Sequence, residues 1–79
     1  MIPTSELLSL GFTPVWRIGV YGKGVEGTDL RIIYDMGELA IEILTDSIYR
    51  VYSFLPLEAT IENIKELYKC LSGNEIDHE

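Results

Sequence analysis

The stretch that decides the fold covers residues 30–43 and reads LRIIYDMGELAIEI. Apolar and polar side chains alternate on both sides of Met36-Gly37, a pattern typical of two β-strands joined by a two-residue turn. The apolar pairs are then Tyr34 with Leu39, Ile32 with Ile41, and Leu30 with Ile43. On the opposite face, Arg31 meets Glu42 as a favourable pair of opposite charges. A slip of one residue would set polar side chains against apolar ones, so the sequence favours this register.

The flanking residues extend the alternation into two more hairpins. A turn through residues 23–27 would pair Val20 with Leu30, and a turn through residues 45–47 would pair Ile43 with Tyr49. We therefore expect four strands in an antiparallel meander, at about residues 14–22, 28–35, 38–45 and 48–55. Their inner face would hold Trp16, Ile18, Val20, Leu30, Ile32, Tyr34, Leu39, Ile41, Ile43, Tyr49 and Val51.

Two helices are expected beside this sheet. Thr4 or Ser5 can cap a short helix at about residues 5–10, with Gly11 as its left-handed C-terminal cap. A second helix is expected at about residues 57–72, ended by Gly73, with residues 73–79 as a frayed tail. Its apolar stripe is Leu57, Ile61, Ile64, Tyr68 and Leu71. The stripe can cover the inner face, so residues 1–79 are predicted to form one α+β domain with both helices on one face of the sheet.

Composition excludes several classes of protein. The 79 residues include 13 Asp and Glu against 6 Lys and Arg, a formal net charge of −7. Nucleic-acid binding needs a cationic surface, so we expect no direct nucleic-acid partner. No stretch approaches the roughly 18 apolar residues of a membrane span, and residues 1–6 lack the pattern of a secretory signal. One cysteine allows no internal disulfide, so we expect a cytoplasmic protein without a membrane partner.

Residue types give little support to catalysis or metal binding. A nucleophilic thiol needs a base within reach, and Cys70 and His78 are the only residues of their kinds. The two cannot complete a tetrahedral metal site. No carboxylate stands isolated among apolar residues, as a general acid would. We therefore expect a non-enzymatic protein with no catalytic residues, no metal and no cofactor.

A glycine-rich segment offers one candidate ligand loop, made of Gly22, Lys23, Gly24 and Gly27. Backbone N–H groups freed by glycines, together with a lysine, can hold a phosphate. The Walker spacing is absent, and no helix follows the segment to add its dipole. The segment therefore indicates either a flexible hairpin turn or a site for a small nucleotide-like ligand.

The outer face of the predicted sheet mixes ion pairs with aromatic and aliphatic residues. Its candidate partner-binding residues are Arg17, Tyr21, Arg31, Ile33, Glu42, Arg50, Tyr52 and Phe54. We expect Arg31, Glu42 and Arg50 in one row across three strands. A solvated face is usually polar, whereas interface centres favour arginine and aromatic residues. The face is therefore either an ordinary half-wet surface or, as our leading hypothesis, a binding surface for another protein or for a second copy in a homodimer.

A second candidate surface is acidic. Glu58, Glu62 and Glu66 are spaced four residues apart along the predicted second helix. Such a run is typical of a solvated helix face. The alternative hypothesis is an acidic inhibitor that occupies the nucleic-acid groove of a host defence enzyme, where electrostatic steering would speed the encounter.

Both ends of the chain show a family resemblance. Residues 6–12 read ELLSLGF, and residues 67–76 read LYKCLSGNEI. They resemble the "ELLxLGF" start and the "LYxxLTGxEL" end of small uncharacterised proteins of phages and mobile elements in Bacteroidetes. Ser72 stands where that pattern has Thr, and Ile76 where it has Leu. The resemblance implies a phage or mobile-element accessory protein and brings no catalytic residues with it.

Overall fold

A computed structural model describes residues 1–76 of the chain, except the side chains of Val51 and Tyr52. Over residues 1–76 the chain is α+β, with two helices and an antiparallel sheet of five strands. The elements in chain order are α1 (Thr4–Ser9), β1 (Thr13–Pro14), β2 (Val20–Gly24), β3 (Leu30–Asp35), β4 (Glu38–Thr45), β5 (Ile48–Leu55) and α2 (Ile61–Ser72). The strands pair in the order β1-β2-β3-β4-β5, so the expected meander is confirmed and the short β1 adds a strand to the predicted four.

The central hairpin has the predicted register. Strand β3 pairs with β4 so that Arg31 lies opposite Glu42 and Ile32 opposite Ile41. Met36 and Gly37 form the two-residue turn, with φ angles of 47° and 93°. Positive φ at both positions is the geometry whose twist matches that of the flanking strands, so this turn holds the register that the alternation favours.

The predicted register of the first hairpin is wrong. Val20 lies opposite Asp35 rather than Leu30, and Tyr21 lies opposite Tyr34. Next to the turn between β2 and β3, the Val25 N–H donates a hydrogen bond to the Leu30 carbonyl at 2.9 Å. The five-residue shift is odd, so every side chain of β2 changes face. Burial of Val25 is one physical reason, because the predicted turn would have left this apolar side chain in water.

The segment before β2 explains the rest of that error. Between Pro14 and Gly19 the chain leaves the sheet in a loop, with Trp16 at φ 57° and Gly19 at φ 90°. Trp16 and Ile18, both predicted to be core residues, are exposed in this loop. The predicted strand at residues 14–22 is therefore two separate strands, β1 and β2.

The turn between β4 and β5 is one residue shorter than predicted. Asp46 and Ser47 form it, with φ angles of 52° and 65°, and Thr45 pairs with Ile48. The single-residue change places Tyr49 on the outer face and Arg50 on the inner face, the reverse of the prediction. A β-bulge then inserts Tyr52 as an extra residue between the pairs of Ile41 and Glu42. Because of this extra residue, residues 53–55 again lie on the faces that the sequence predicted.

A glycine substitution tests the two-residue turn. Ser47→Gly should raise the free energy of unfolding by about 0.5–1 kcal/mol, because glycine adopts positive φ without the steric cost of a Cβ atom. Ser53→Gly, in the middle of β5, should lower it, because glycine weakens a strand interior. Urea denaturation of both variants measures the difference. Destabilisation by Ser47→Gly would argue against the left-handed turn.

The helices differ from prediction mainly at their starts. Helix α2 begins at Ile61 rather than near residue 57, because the Thr60 hydroxyl caps it by accepting the Asn63 N–H at 3.1 Å. Leu57, expected in the apolar stripe, is exposed. Gly73 ends α2 in the left-handed conformation, as predicted. Helix α1 has Pro3 at its N-cap, without a capping side chain, so the predicted hydroxyl cap from Thr4 or Ser5 is wrong.

The main core lies between the inner face of the sheet and the two helices. Its buried residues are Leu7, Leu10, Phe12, Val25, Ile32, Tyr34, Leu39, Ile41, Ile64, Tyr68 and Ile76. Ile76 packs in this core, so residues 73–76 are held against the domain rather than frayed. Residues 77–79 of the predicted tail lie outside the described part of the chain. Neither helix within residues 1–76 has the length and apolarity needed to cross a membrane.

Candidate functional site

The outer sheet surface is the side of the sheet opposite the helices. One row across it contains Gly22, Ile33, Ala40 and Phe54, each opposite the next in the pairing of β2 through β5. Ile33 and Ala40 are buried in a second small core with Val20, against which Val15 packs. Phe54 is 53% exposed. The middle of this row, at Ile33 and Ala40, is therefore buried, whereas its end at Phe54 on the edge strand is exposed.

A buried ion pair occupies the neighbouring row. Arg31 Nη2 lies 2.6 Å from Glu42 Oε1, and Arg31 Nε donates to the same oxygen at 2.7 Å. The exposed fraction is 1% for the Glu42 side chain and 17% for the Arg31 side chain. Among the described residues, Glu42 Oε2 finds no hydrogen-bond partner. Arg31 therefore offsets the free-energy cost of burying the negative charge of Glu42.

Tyr49 completes the arrangement around Arg31. The Arg31 guanidinium carbon lies 3.9 Å from the centroid of the Tyr49 ring, which is cation–π stacking. Val51, rather than Arg50 as predicted, lies opposite Glu42 in this row, and Tyr49 lies opposite Leu44 in the next row of the same face. Arg31 is thus held by a carboxylate and by an aromatic face, and its side chain is ordered before any partner arrives.

Gly22 leaves the room that Arg31 needs. A Cβ atom at Gly22 would lie 3.2 Å from Arg31 Cδ and 3.0 Å from Ile33 Cδ1. Both distances are shorter than ordinary carbon–carbon contact, so a side chain there would displace the arginine. Gly22 of β2 therefore borders the ion pair, and its lack of a side chain lets Arg31 lie flat against the strand.

The remaining predicted partner-binding residues divide between the two faces. Arg17 belongs to the outer side, where its Nη2 atom lies 3.2 Å from Asp35 Oδ2 at an exposed position. Tyr21 lies on the inner face, with its hydroxyl 3.3 Å from Thr4 Oγ1, so its predicted place on the outer face is wrong. Arg50 is exposed on the inner side of β5, which also corrects its prediction. The Tyr52 side chain lies outside the described atoms.

Sequence reasoning missed two exposed apolar residues beside this surface. Trp16 is 47% exposed and Ile18 is fully exposed, both in the loop before β2. Because Trp16, Ile18 and Val20 alternate with a period of two, the sequence predicted a strand there and assigned all three side chains to the core. Pro14 and Gly19 on either side were the available signal, because such residues interrupt strands.

The glycine-rich candidate residues do not form one loop. Gly22, Lys23 and Gly24 are part of β2, whereas Gly27 is in the turn that follows, with φ 79°. Lys23 points to the inner face, with its Nζ atom 5.5 Å from the centroid of the Tyr68 ring. The Lys23 side chain therefore lies near Tyr68 on the inner face, whereas Gly27 lies in the turn beyond the end of β2.

The acidic candidates lie away from the outer sheet surface. Glu58 precedes α2, and Glu62 and Glu66 are exposed on that helix. Of the three, only Glu66 borders a groove of about 320 Å³, which is also lined by Lys65, Lys69, Glu75 and Ile76. In residues 1–76, no three His, Cys, Asp or Glu side chains are grouped so as to hold a metal ion. Cys70 is exposed on α2, and His78 lies beyond the described range.

Comparison with known proteins gives no match: no family model matches the chain, and no curated protein or solved structure matches it significantly. A functional assignment therefore has to come from the side chains themselves. The outer sheet surface offers a guanidinium fixed by Glu42 and Tyr49, with an exposed aromatic residue, Phe54, on the same strand as Tyr49. This combination suits the recognition of another molecule's surface by contact and shape.

Proposed function

We propose that the protein is a small non-enzymatic interaction module that binds a partner protein through its outer sheet surface. The observation that carries the proposal is the ordered group of Arg31, Glu42 and Tyr49, in which the guanidinium stacks on an aromatic ring 3.9 Å away. Arginine and tyrosine are, with tryptophan, the residue types enriched among those that dominate binding energy at interfaces.

Preorganisation of this group supports the proposal. An arginine that becomes ordered only on binding loses side-chain entropy, at a cost of about 0.5–1.5 kcal/mol. Arg31 has already lost that freedom, because two of its nitrogen atoms contact Glu42 Oε1. Leu44 and Tyr49 lie opposite each other on the same side of the hairpin, each 37% exposed, and Phe54 adds further apolar area. A partner can therefore bury these side chains with little further loss of side-chain conformational entropy.

The acidic surface of Glu58, Glu62 and Glu66 supports the second candidate function, an inhibitor that occupies a cationic nucleic-acid groove. The net charge of −7 would steer such an encounter. A role as a phage or mobile-element accessory protein is part of both proposals and is supported by the resemblance at residues 6–12 and 67–76. The two candidate surfaces use different residues, so substitutions can separate them.

Affinity capture with two double variants tests the assignment. The bait is the full chain, and the captured proteins come from a lysate of the source organism and are quantified by mass spectrometry. Leu44→Ser with Phe54→Ser removes apolar contacts from the outer sheet surface. Glu62→Ser with Glu66→Ser is the matched control, because it also changes two exposed side chains to serine. Circular dichroism shows whether each variant remains folded.

We expect one partner to be retained by the wild type and by the Glu62/Glu66 variant, and to be reduced at least tenfold with the Leu44/Phe54 variant. A tenfold loss corresponds to about 1.4 kcal/mol, which two truncated apolar contacts can account for. Loss with the Glu62/Glu66 variant alone would favour the acidic inhibitor. Equal retention by all three folded baits would contradict the outer sheet surface as the binding site.

A further inference from the structure

We infer that the free edge of β5 pairs with β5 of a second copy of this chain, so that two sheets join across a twofold axis. This surface is the backbone edge of the sheet and not its outer side, so the inference goes beyond the proposed function. Within residues 1–76, β5 pairs with β4 on one edge and with no strand on the other. An edge of this kind presents N–H and C=O groups that another strand can take up.

The β5 edge lacks most of the usual protection against pairing. Residues 48–55 read IYRVYSFL, with one charged residue and no proline or glycine. Natural edge strands are commonly kept short, carry lysine or proline, or are covered by another element. Eight residues is long for an edge strand, and the exposed Ile48, Tyr49 and Phe54 leave it uncovered along both halves. The remaining protective device is the bulge at Tyr52.

The bulge makes the strand complementary to itself. Directly opposed residues of two antiparallel strands point to the same side of the sheet. In an unbroken strand a residue and its seventh neighbour point to opposite sides, so Ile48 could not face Leu55 of a second copy. The extra residue Tyr52 reverses the alternation, so that Ile48 and Leu55 both point to the inner side. Both copies carry the same bulge, so the extra residue of one strand is matched by the extra residue of the other, and the pairs on the two sides of the twofold axis stay in register.

A single register then satisfies all the described positions. The cross-strand pairs are Ile48 with Leu55, Tyr49 with Phe54, and Arg50 with Ser53 of the other copy. The first is apolar, the second places two aromatic rings on the outer side, and the third sets a cation beside a hydroxyl. Each pair occurs twice because of the twofold axis. The strand therefore offers matched partners to its own copy along its length.

Electrostatics also permits a second copy at this edge. The chain carries a net charge of −7, but β5 contains no acidic residue. The extra residue in the bulge adds no position to the ladder, so the two copies of Arg50 would be diagonal neighbours on the same side of the sheet, about 7–8 Å apart. This separation is about one Debye length at physiological ionic strength, so salt reduces their repulsion without removing it. The overall negative charge opposes association less as salt rises.

Charge substitutions at Ser53 test both the dimer and its register. Sedimentation velocity on the full chain, over a series from about 5 to 500 μM, measures the dissociation constant, since an interface at the small end of the specific range is expected to be weak. Ser53→Lys places a cation opposite Arg50 of the other copy, and Ser53→Glu places an anion there. Each change occurs at an exposed position, and circular dichroism verifies the fold.

We expect the wild type to approach twice its 9.0 kDa mass at high concentration. Ser53→Lys should weaken the dimer at least tenfold and Ser53→Glu should tighten it, while Arg50→Glu with Ser53→Lys should restore wild-type affinity. A wild type that stays monomeric over the whole series would overturn the inference. Equal effects of Ser53→Lys and Ser53→Glu would overturn the register. Phe54 also belongs to the proposed strand pair, so Ser53→Lys is added to the capture experiment as a third bait. A partner that Ser53→Lys retains and the Leu44/Phe54 variant loses is bound by the outer sheet surface and does not depend on the dimer.

Discussion

Arg31→Ala should lower the free energy of unfolding by about 3–5 kcal/mol, the largest effect that we expect from a charged residue of this chain. The substitution leaves the Glu42 carboxylate buried, with a side chain only 1% exposed and without its guanidinium partner. It also removes the cation from the face of the Tyr49 ring. For a domain of this size the loss is a large share of the total stability.

Arg17→Ala is the matched control for that prediction. Arg17 also forms an ion pair, with Asp35 at 3.2 Å, but its side chain is 62% exposed. Water screens such a pair, so we expect a change within about 1 kcal/mol. Urea denaturation of both variants, followed by circular dichroism, gives the comparison. Similar effects from Arg17→Ala and Arg31→Ala would show that burial of Glu42 is not what makes Arg31 important.

A double substitution separates the ion pair from packing. Arg31→Met with Glu42→Leu removes both charges while keeping most of the side-chain volume. Replacing a buried ion pair in this way is often neutral or stabilising. We therefore expect the double variant to recover most of the stability that Arg31→Ala loses, while binding through the outer sheet surface falls. Recovery of stability without loss of partner capture would argue that Arg31 has only a structural role.

Phe12→Ala should lower the free energy of unfolding by about 3–5 kcal/mol, because it opens a cavity in the main core. Phe12 is 1% exposed and belongs to the same core as Leu7 of α1 and Leu10, the residue at the C-cap of that helix. That helix has six residues and no side-chain cap, so packing is what holds it in place. Loss of the ring should therefore also release α1.

Phe54→Ala is the same chemical change at an exposed site. Phe54 is 53% exposed on the outer side of β5, so we expect a loss of less than about 1 kcal/mol. Thermal denaturation of both variants checks the difference, and amide hydrogen exchange reports on residues 4–9. If Phe12→Ala cost no more than Phe54→Ala, the main core would not extend to the segment after α1.

The central hairpin was predictable because two independent signals agree on it. Alternation over residues 30–43 defines which side chains share a face, and Met36-Gly37 suits a two-residue turn. Each signal alone would leave another register possible. Together they exclude the competing pairings, since a slip would bury charge or break the turn.

The outer hairpins could not be predicted in the same way, because a strand pattern does not reveal where pairing begins. Trp16, Ile18 and Val20 alternate as a strand would, yet the first two belong to a loop. The bulge at Tyr52 has no composition signal, and it determines the facing of half of β5. Local alternation is compatible with several registers when turn length is free.

The candidate site was predicted in part. Arg31 and Glu42 belong to the central hairpin, and their pairing followed from its register. Tyr49 was placed on the wrong face, because one residue of turn length reverses the side chains between the turn and the bulge. Burial of the Glu42 side chain, which is 1% exposed, depends on the packing of neighbouring side chains, whereas the alternation of residues along a strand predicts only the face on which a side chain lies.

The meander order of the sheet also governs how the chain can fold. Each strand pairs with the strand before it, so every hairpin closes a short loop before the next is required. Topologies rich in local contacts fold fastest among domains of similar stability. Helix α2 follows β5 along the chain, so at a synthesis rate of about 5–20 residues per second it is completed roughly one to three seconds after β5. Ile32 and Leu39 share their core with Ile64 and Tyr68 of α2, so the inner face of the sheet stays partly uncovered until this last helix packs against it.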